Sequence, residues 1–191
     1  DCYRISNSQR SYFCKINSAT KFPHLFQREA EGLQLLATQN IIRTPSIIDY
    51  FTYNGFQILL LEWIIPGKKT SAFWTLLGEK LARLHRTFGT AFGLEKDNYM
   101  GNIIQQNNYT DEWGEFFIKN RLQPLLDKAI QLNLVTADFV KKILNIYPKI
   151  SETFTEEPPS LLHGDFWNGN LMADNNSNPV LIDPAVYYGH R

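Results

Sequence analysis

Apolar and polar positions change rhythm several times along this chain. The opening stretch clusters β-forming side chains at Cys2, Tyr3 and Ile5 and again at Tyr12, Phe13, Cys14 and Ile16. The polar run Ser6-Asn7-Ser8-Gln9-Arg10 lies between them, which predicts an antiparallel hairpin. Over residues 23–38 the spacing lengthens. Leu25, Phe26, Leu33, Leu35 and Leu36, with Glu29 and Glu31 among them, predict one amphipathic helix despite the unfavourable Gly32. Pro45 ends that segment, and the apolar runs 47–53 and 56–63 are joined through Asn54-Gly55, a dipeptide suited to a two-residue hairpin turn.

After Pro66-Gly67, which reads as a linker, the character turns helical. Residues 73–88 keep Leu76, Leu77, Leu81, Leu84 and His85 on one stripe, and 111–129 and 137–150 predict two further helices. Pro124 is expected to kink or divide the first of these. Over 161–190, short β-like runs at Leu161-Leu162 and Val180-Leu181-Ile182 flank asparagine-rich turns. The expected architecture is α+β in two lobes. Residues 1–64 make a small antiparallel-sheet lobe with one helix, and 65–191 make a mainly helical lobe.

Composition narrows the partners. At 191 residues and 43% hydrophobic, the chain can bury a core. Lysine plus arginine and aspartate plus glutamate both number 19, so no positive excess serves a grip on nucleic acid or an acidic membrane. Two cysteines, Cys2 and Cys14, are too few for a disulfide framework and lack the spacing of a zinc site, which fits a reducing, cytoplasmic setting. No apolar run approaches the roughly 20 residues that cross a bilayer.

The sharpest chemical signal is Leu161-Leu162-His163-Gly164-Asp165-Phe166-Trp167-Asn168-Gly169-Asn170. Asp165 and Asn170 stand at the offset of a kinase catalytic loop, where an aspartate accepts the substrate proton and an asparagine holds magnesium. Downstream, Ile182-Asp183-Pro184 puts an acid at the end of an apolar strand, the place for a second metal ligand. Phosphoryl transfer needs this set, because a triphosphate must be neutralised while a hydroxyl is aimed in line. Magnesium takes hard oxygen ligands, so Asn170 and Asp183 suit it and Asp165 stays free as base. The competing reading of 163–170 is a solvated turn, since Asp, Asn and Gly are turn residues. The apolar lead-in, the offset and the downstream acid together favour the catalytic loop.

Lys15, inside an apolar strand, sits where kinases keep the lysine that binds the α- and β-phosphates, and Glu29 on the next helix is its natural partner, with Glu31 the alternative. Glu62, Trp63 and Ile64 occupy the position of a hinge whose backbone could hold an adenine edge; an ordinary strand end is the other reading. Trp167 beside the base suits either a sugar ring or the core. His163 reads as a structural residue that orients the loop, His85 as a packing residue, and Lys68-Lys69 as a solvated turn.

These residues resemble the fructosamine kinases, within the group that includes aminoglycoside and choline kinases. The resemblance runs through most of the chain: Tyr12-Phe13-Cys14-Lys15-Ile16-Asn17, 77–85, Phe92-Gly93-Leu94 with Asp97-Asn98, Asp111-Glu112-Trp113, 163–170, Ile182-Asp183-Pro184-Ala185 and Tyr187-Tyr188-Gly189-His190. It implies a protein-kinase-like fold and ATP- and Mg2+-dependent phosphorylation of a sugar hydroxyl on a ketoamine, a glycated amine or lysine, in deglycation repair. By position it makes Asp165 the base and Asn170 and Asp183 the metal ligands. Lys15 and Glu29 become the phosphate clamp, residues 62–64 the hinge, and Trp167 and His190 residues of the substrate side. It also implies that the family's glycine-rich loop belongs before Cys2 and its substrate-pocket helices after Tyr-Gly-His, so the chain reads as truncated at both ends. Asn168 stands where serine is usual and Phe166 where leucine is usual. Rival expectations are an aminoglycoside, choline or thiosugar kinase of the same fold, or a non-catalytic nucleotide-binding module.

Overall fold

The computed structural model describes residues 1–191, the side chain of residue 151 excepted. Its first third is a four-stranded antiparallel sheet in the order β1-β2-β4-β3, covered on one face by a helix. Strands β1 (Cys2–Ser6) and β2 (Ser11–Ser18) form the expected hairpin, with Tyr3 opposite Cys14 and Cys2 opposite Lys15. Helix α1 (Leu25–Thr38) follows. Strands β3 (Ile47–Tyr53) and β4 (Phe56–Glu62) then meet at a tight turn. There Asn54 and Gly55 take φ of 48° and 79°, the left-handed pair that a right-twisted hairpin requires. On α1 the side chains of Phe26, Ala30 and Leu33 fall on one stripe and pack on Leu59 and Leu61 of β4.

The rest is mainly helical. Helix α2 (Ser71–Leu84) is capped by Thr70, whose hydroxyl accepts the Phe73 N–H at 3.3 Å. A hairpin of β5 (Asn98–Met100) and β6 (Ile103–Gln105) comes next. The helix expected over 111–129 is divided near Pro124, as that proline predicts. It consists of α3 (Trp113–Phe117), one π-helical turn (Ile118–Leu122) and α4 (Gln123–Gln131), with Pro124 in the first turn of α4. Proline has no N–H for the carbonyl four residues back, and the Asn120 carbonyl takes the Arg121 guanidinium instead, at 3.0 Å.

The segment expected as one helix over 137–150 is two, α5 (Ala137–Leu144) and α6 (Tyr147–Thr153), because Pro148 starts a new helix rather than continuing the old one. Four short strands close the chain. β7 (Ser160–Leu162) pairs with β10 (Tyr187–Gly189), and β8 (Leu171–Ala173) pairs with β9 (Pro179–Leu181).

One core cluster joins the two parts. Leu36 and Ile42, from α1 and the loop after it, pack with Phe73, Leu77, Leu161 and Leu181. The boundary expected at 64/65 therefore falls in a connection, while the apolar core runs past it. Among the described residues no helix is long and apolar enough to cross a membrane.

Candidate active site

Lys15 in β2 is paired across the ladder with Leu59, which places it on the sheet face that α1 covers. It is only 7% exposed. Its Nζ donates to Glu29 Oε1 at 2.7 Å and to Asp183 Oδ1 at 2.5 Å. Glu31, the alternative partner open in the sequence, turns to Arg28 Nη1 at 2.7 Å instead. Burial alone would lower the Lys15 ammonium, but the carboxylates of Glu29 and Asp183 hold it above its ordinary value. Burial pushes the Glu29 carboxyl up to about 7, against the pull of Lys15, and the charge of Asp183 adds to the rise.

Asp183 leaves β9 with φ 53°, a left-handed conformation that costs a non-glycine residue free energy and turns its carboxylate back towards β2. The catalytic-loop segment lies alongside. Gly164 has φ 82°, and a β-carbon there would run into the Ala185 carbonyl, so only glycine permits this approach. The backbone bond from Ala185 N to His163 O, at 2.9 Å, fixes the two strands of chain together. His163, 1% exposed, makes a 3.0 Å hydrogen bond from Nε2 to the Ile182 carbonyl, and the Asp165 N–H points at its Nδ1 at 3.4 Å. Both contacts suit a neutral ring protonated on Nε2. Burial lowers its pKa from the ordinary value despite the Ile182 carbonyl and the nearby carboxylates.

A 3-10 turn (Asn168–Asn170) then carries Asn170 under Asp165. Asn170 Nδ2 donates to the Asp165 carbonyl and to Asp165 Oδ2, both at 2.9 Å. With its NH2 so occupied, Asn170 presents Oδ1, and Asp183 presents the oxygen that Lys15 does not take. Two hard oxygen donors from a carboxylate and an amide fit a magnesium ion that shares its remaining positions with phosphate and water. Among the described residues no three His, Cys, Asp or Glu side chains cluster into an all-protein metal cage.

Lys15, Glu29, Asp165, Trp167, Asn170 and Asp183 line one cavity of about 290 Å³ between the sheet and the helical part. The arrangement sets a held ammonium, a carboxylate with one oxygen uncommitted and a pair of metal-suited oxygens around a single space. Trp167 is 61% exposed at its rim, its indole lying over Gly169.

The other expected site residues lie elsewhere. Glu62 pairs with Arg43 and accepts from Ser46 N and Oγ at 3.1 Å, and Trp63 packs 6.4 Å from Phe13 beneath the Arg4 guanidinium. Ile64 is buried at 6%. None of the three lines the cavity, although the Trp63 and Ile64 backbone groups make no hydrogen bond outside the sheet among the described residues. His190 is also outside the cavity: its ring nitrogens face the Arg191 and Thr155 carbonyls at 3.0 Å, and its ring lies against Trp113 and Phe154.

Two features escaped the sequence reading. Lys69, read as solvated, reaches Asn168 Oδ1 at 2.8 Å. The β5–β6 hairpin supplies Tyr99, Gly101 and Asn102 to the cavity; its three-residue strands are too short to show a period, and Asp97-Asn98 was its only trace.

The fructosamine kinase family model matches residues 1–191. A "probable ketoamine kinase" of Enterococcus faecium is 35% identical over 191 residues, covering 99% of this chain and 67% of that protein. A chloroplastic protein-ribulosamine 3-kinase of Oryza sativa subsp. japonica is 34% identical over 201 residues, covering 99% of this chain and 55% of that protein. The crystal structure of a "putative fructosamine-3-kinase" from Haemophilus somnus superposes with a TM-score of 0.89 at 29% identity, covering 99% of this chain and 63% of that one. The chain thus spans between about half and two thirds of the length of these relatives. With the match unbroken across its whole length, and with the lysine, the loop and the strand-end acid gathered at one cavity, the chain belongs to the fructosamine kinase family.

Proposed function

We propose that this protein is an ATP-dependent, magnesium-dependent kinase that phosphorylates a sugar hydroxyl of ketoamine adducts, on glycated small amines or glycated lysines, as a step of deglycation in the cytoplasm. The observation that carries the reading is the convergence of Lys15, Asp165, Asn170 and Asp183 on one cavity within a fructosamine kinase sequence. Its relatives' names, ketoamine kinase and protein-ribulosamine 3-kinase, point to the same acceptor class.

In this reading Lys15, held by Glu29, meets the α- and β-phosphates. The pair keeps a long, flexible side chain in one place, so little of its entropy is lost on binding. Asn170 Oδ1 and Asp183 hold the magnesium, whose charge neutralises the phosphate oxygens when it is bound. Lys15 also contacts Asp183, so the phosphate clamp and the metal ligand are aligned by one ion pair. Asp165 has one oxygen tied to Asn170 and the other open to the cavity. It orients the acceptor hydroxyl and takes its proton late in the transfer. The backbone of residues 62–64 holds the adenine edge.

A panel of acceptors tests the proposal: fructose-, ribulose- and erythrulose-lysine beside choline and an aminoglycoside, with ATP turnover measured for the full-length protein. Turnover with at least one ketoamine and none with the other two is expected. Turnover confined to choline or the aminoglycoside would overturn the assignment of substrate.

A further inference from the structure

We infer that the β5–β6 hairpin forms the acceptor wall of the cleft and that Asn102, at its turn, is a specificity-determining residue that hydrogen-bonds a hydroxyl of the sugar. The inference rests on the sugar-kinase reading of the site and adds to it the element that selects the sugar.

The hairpin is fixed at both ends across the cavity. On one side Asn98 Nδ2 donates to the Val186 carbonyl at 2.7 Å, and Gln105 Nε2 donates to the Ala185 carbonyl at 2.9 Å and to Asn98 Oδ1 at 2.8 Å. Ala185 and Val186 directly follow Asp183-Pro184, so the base of the hairpin is tied to the strand end that carries the metal-suited acid. On the other side the Tyr99 hydroxyl donates to the Pro23 carbonyl at 3.0 Å, and its ring meets Phe22 edge-on at 6.4 Å, just ahead of the helix that carries Glu29. A hairpin held this way is a rigid wall rather than a loose loop. Gly101 makes its two-residue turn with φ 59°, the first central position where a hairpin takes glycine, and brings Asn102 to the cavity.

The polar groups of the cavity divide by chemistry. Lys15, Glu29, Asp165 and Asp183 suit phosphate and metal, Asp1 adds a further charge beside β1, and the hairpin contributes only neutral groups. A neutral amide recognises hydroxyls by donating and accepting at once. Of the cavity's other asparagines, Asn98 is committed as above and Asn170 to Asp165, while Asn17 has its Oδ1 taken by the Ser18 N–H at 2.8 Å and keeps only its donors. Asn102 makes no side-chain hydrogen bond among the described residues and is exposed, so its donors and its acceptor are all available to a ligand. With the Trp167 indole at the same cavity as an apolar face, this is the equipment for a polyhydroxylated ring or chain.

The test compares Asn102→Ala with the wild-type full-length protein on fructose-, ribulose- and erythrulose-lysine, which differ in the number of hydroxyls. Because Asn102 supports no other residue, the variant folds, and an unchanged KM for ATP checks this. The expected result is a fall of about ten-fold in kcat/KM for the preferred sugar, with a smaller fall for a sugar that lacks the contacted hydroxyl, so that the preference flattens. Equal kcat/KM values in variant and wild type for all three sugars would overturn the inference while leaving the proposed function standing. Equal losses on all three would overturn it as well, since they would mark a general effect rather than selection. A wild-type protein that turns over no ketoamine would refute the function itself, and with it this role for Asn102.

Discussion

His163 has to satisfy two neighbours at once, the Ile182 carbonyl at one ring nitrogen and the Asp165 N–H at the other. A proton on Nδ1 would face that N–H head-on, so the loop conformation depends on a neutral ring. Burial lowers its pKa from the ordinary 6.5, whereas the unfolded chain takes up a proton there as pH falls through that value. The unfolded state then binds more protons, and the stability that His163 contributes is present above pH 6.5 and lost as pH falls towards the folded value. The expected signature is a His163→Gln variant that is less stable than wild type at pH 7.5 by a margin that narrows towards pH 5.5. Thermal unfolding of both across that range decides it, and a margin independent of pH would contradict the neutral ring. His163 was legible as structural from residue type, and Glu29 as the partner of Lys15 from its place on the following helix; Glu31 is set aside only in the fold, where Lys15 Nζ meets Glu29 at 2.7 Å and Glu31 turns to Arg28.

At the scale of elements, caps and breaks explain where helices begin and end. Thr70 caps α2, whose third residue, Phe73, is wholly buried, while Thr136 caps α5 in the same way through Phe139 N at 3.2 Å, on a helix with no buried residue. Thr70→Ala is expected to cost about 1 kcal/mol. Thr136→Ala should cost less, because fraying of an unburied helix exposes little apolar surface. Denaturant midpoints of the two variants check the order. Long periodic runs and the Asn54-Gly55 turn were readable in the sequence because their signals are local. The division at Pro124 was legible from the proline itself, whereas the π-helical turn before it and the break at Pro148 were hidden by an apolar stripe that continues through both. Strands of three residues, such as β8 and β10, carry no period of their own; β10 is set by its pairing with β7, far away in the chain.

Over the whole molecule, Arg43 ties the sheet to the helical part. Its guanidinium pairs with Glu62 at the end of β4 and donates to the buried Asp174 Oδ2 at 2.9 Å, and its carbonyl accepts the Leu181 N–H at 2.9 Å, two residues before Asp183. Burial would raise the Asp174 carboxyl, but the N–H groups of Asn178 and Asn176 and the Arg43 guanidinium hold it below its ordinary value. Arg43→Met is expected to lower stability by about 1–2 kcal/mol, discounted for the partial exposure of Arg43, and Arg43→Lys to recover only part, since an ammonium does not bridge two carboxylates as a fork does. Equilibrium unfolding in urea measures both. No spacing in the sequence pointed to Arg43, because its partners are distant in the chain and meet only on folding.

The central claim, that Asp165 acts on the acceptor while Lys15, Asn170 and Asp183 hold the metal-nucleotide, separates chemistry from binding. Asp165→Asn in the full-length protein, followed by ketoamine phosphorylation and by calorimetric titration with magnesium and a non-hydrolysable ATP analogue, tests it most directly. Loss of turnover of about a thousand-fold or more with nucleotide affinity within a few-fold of wild type is predicted. Turnover close to wild type would contradict the account.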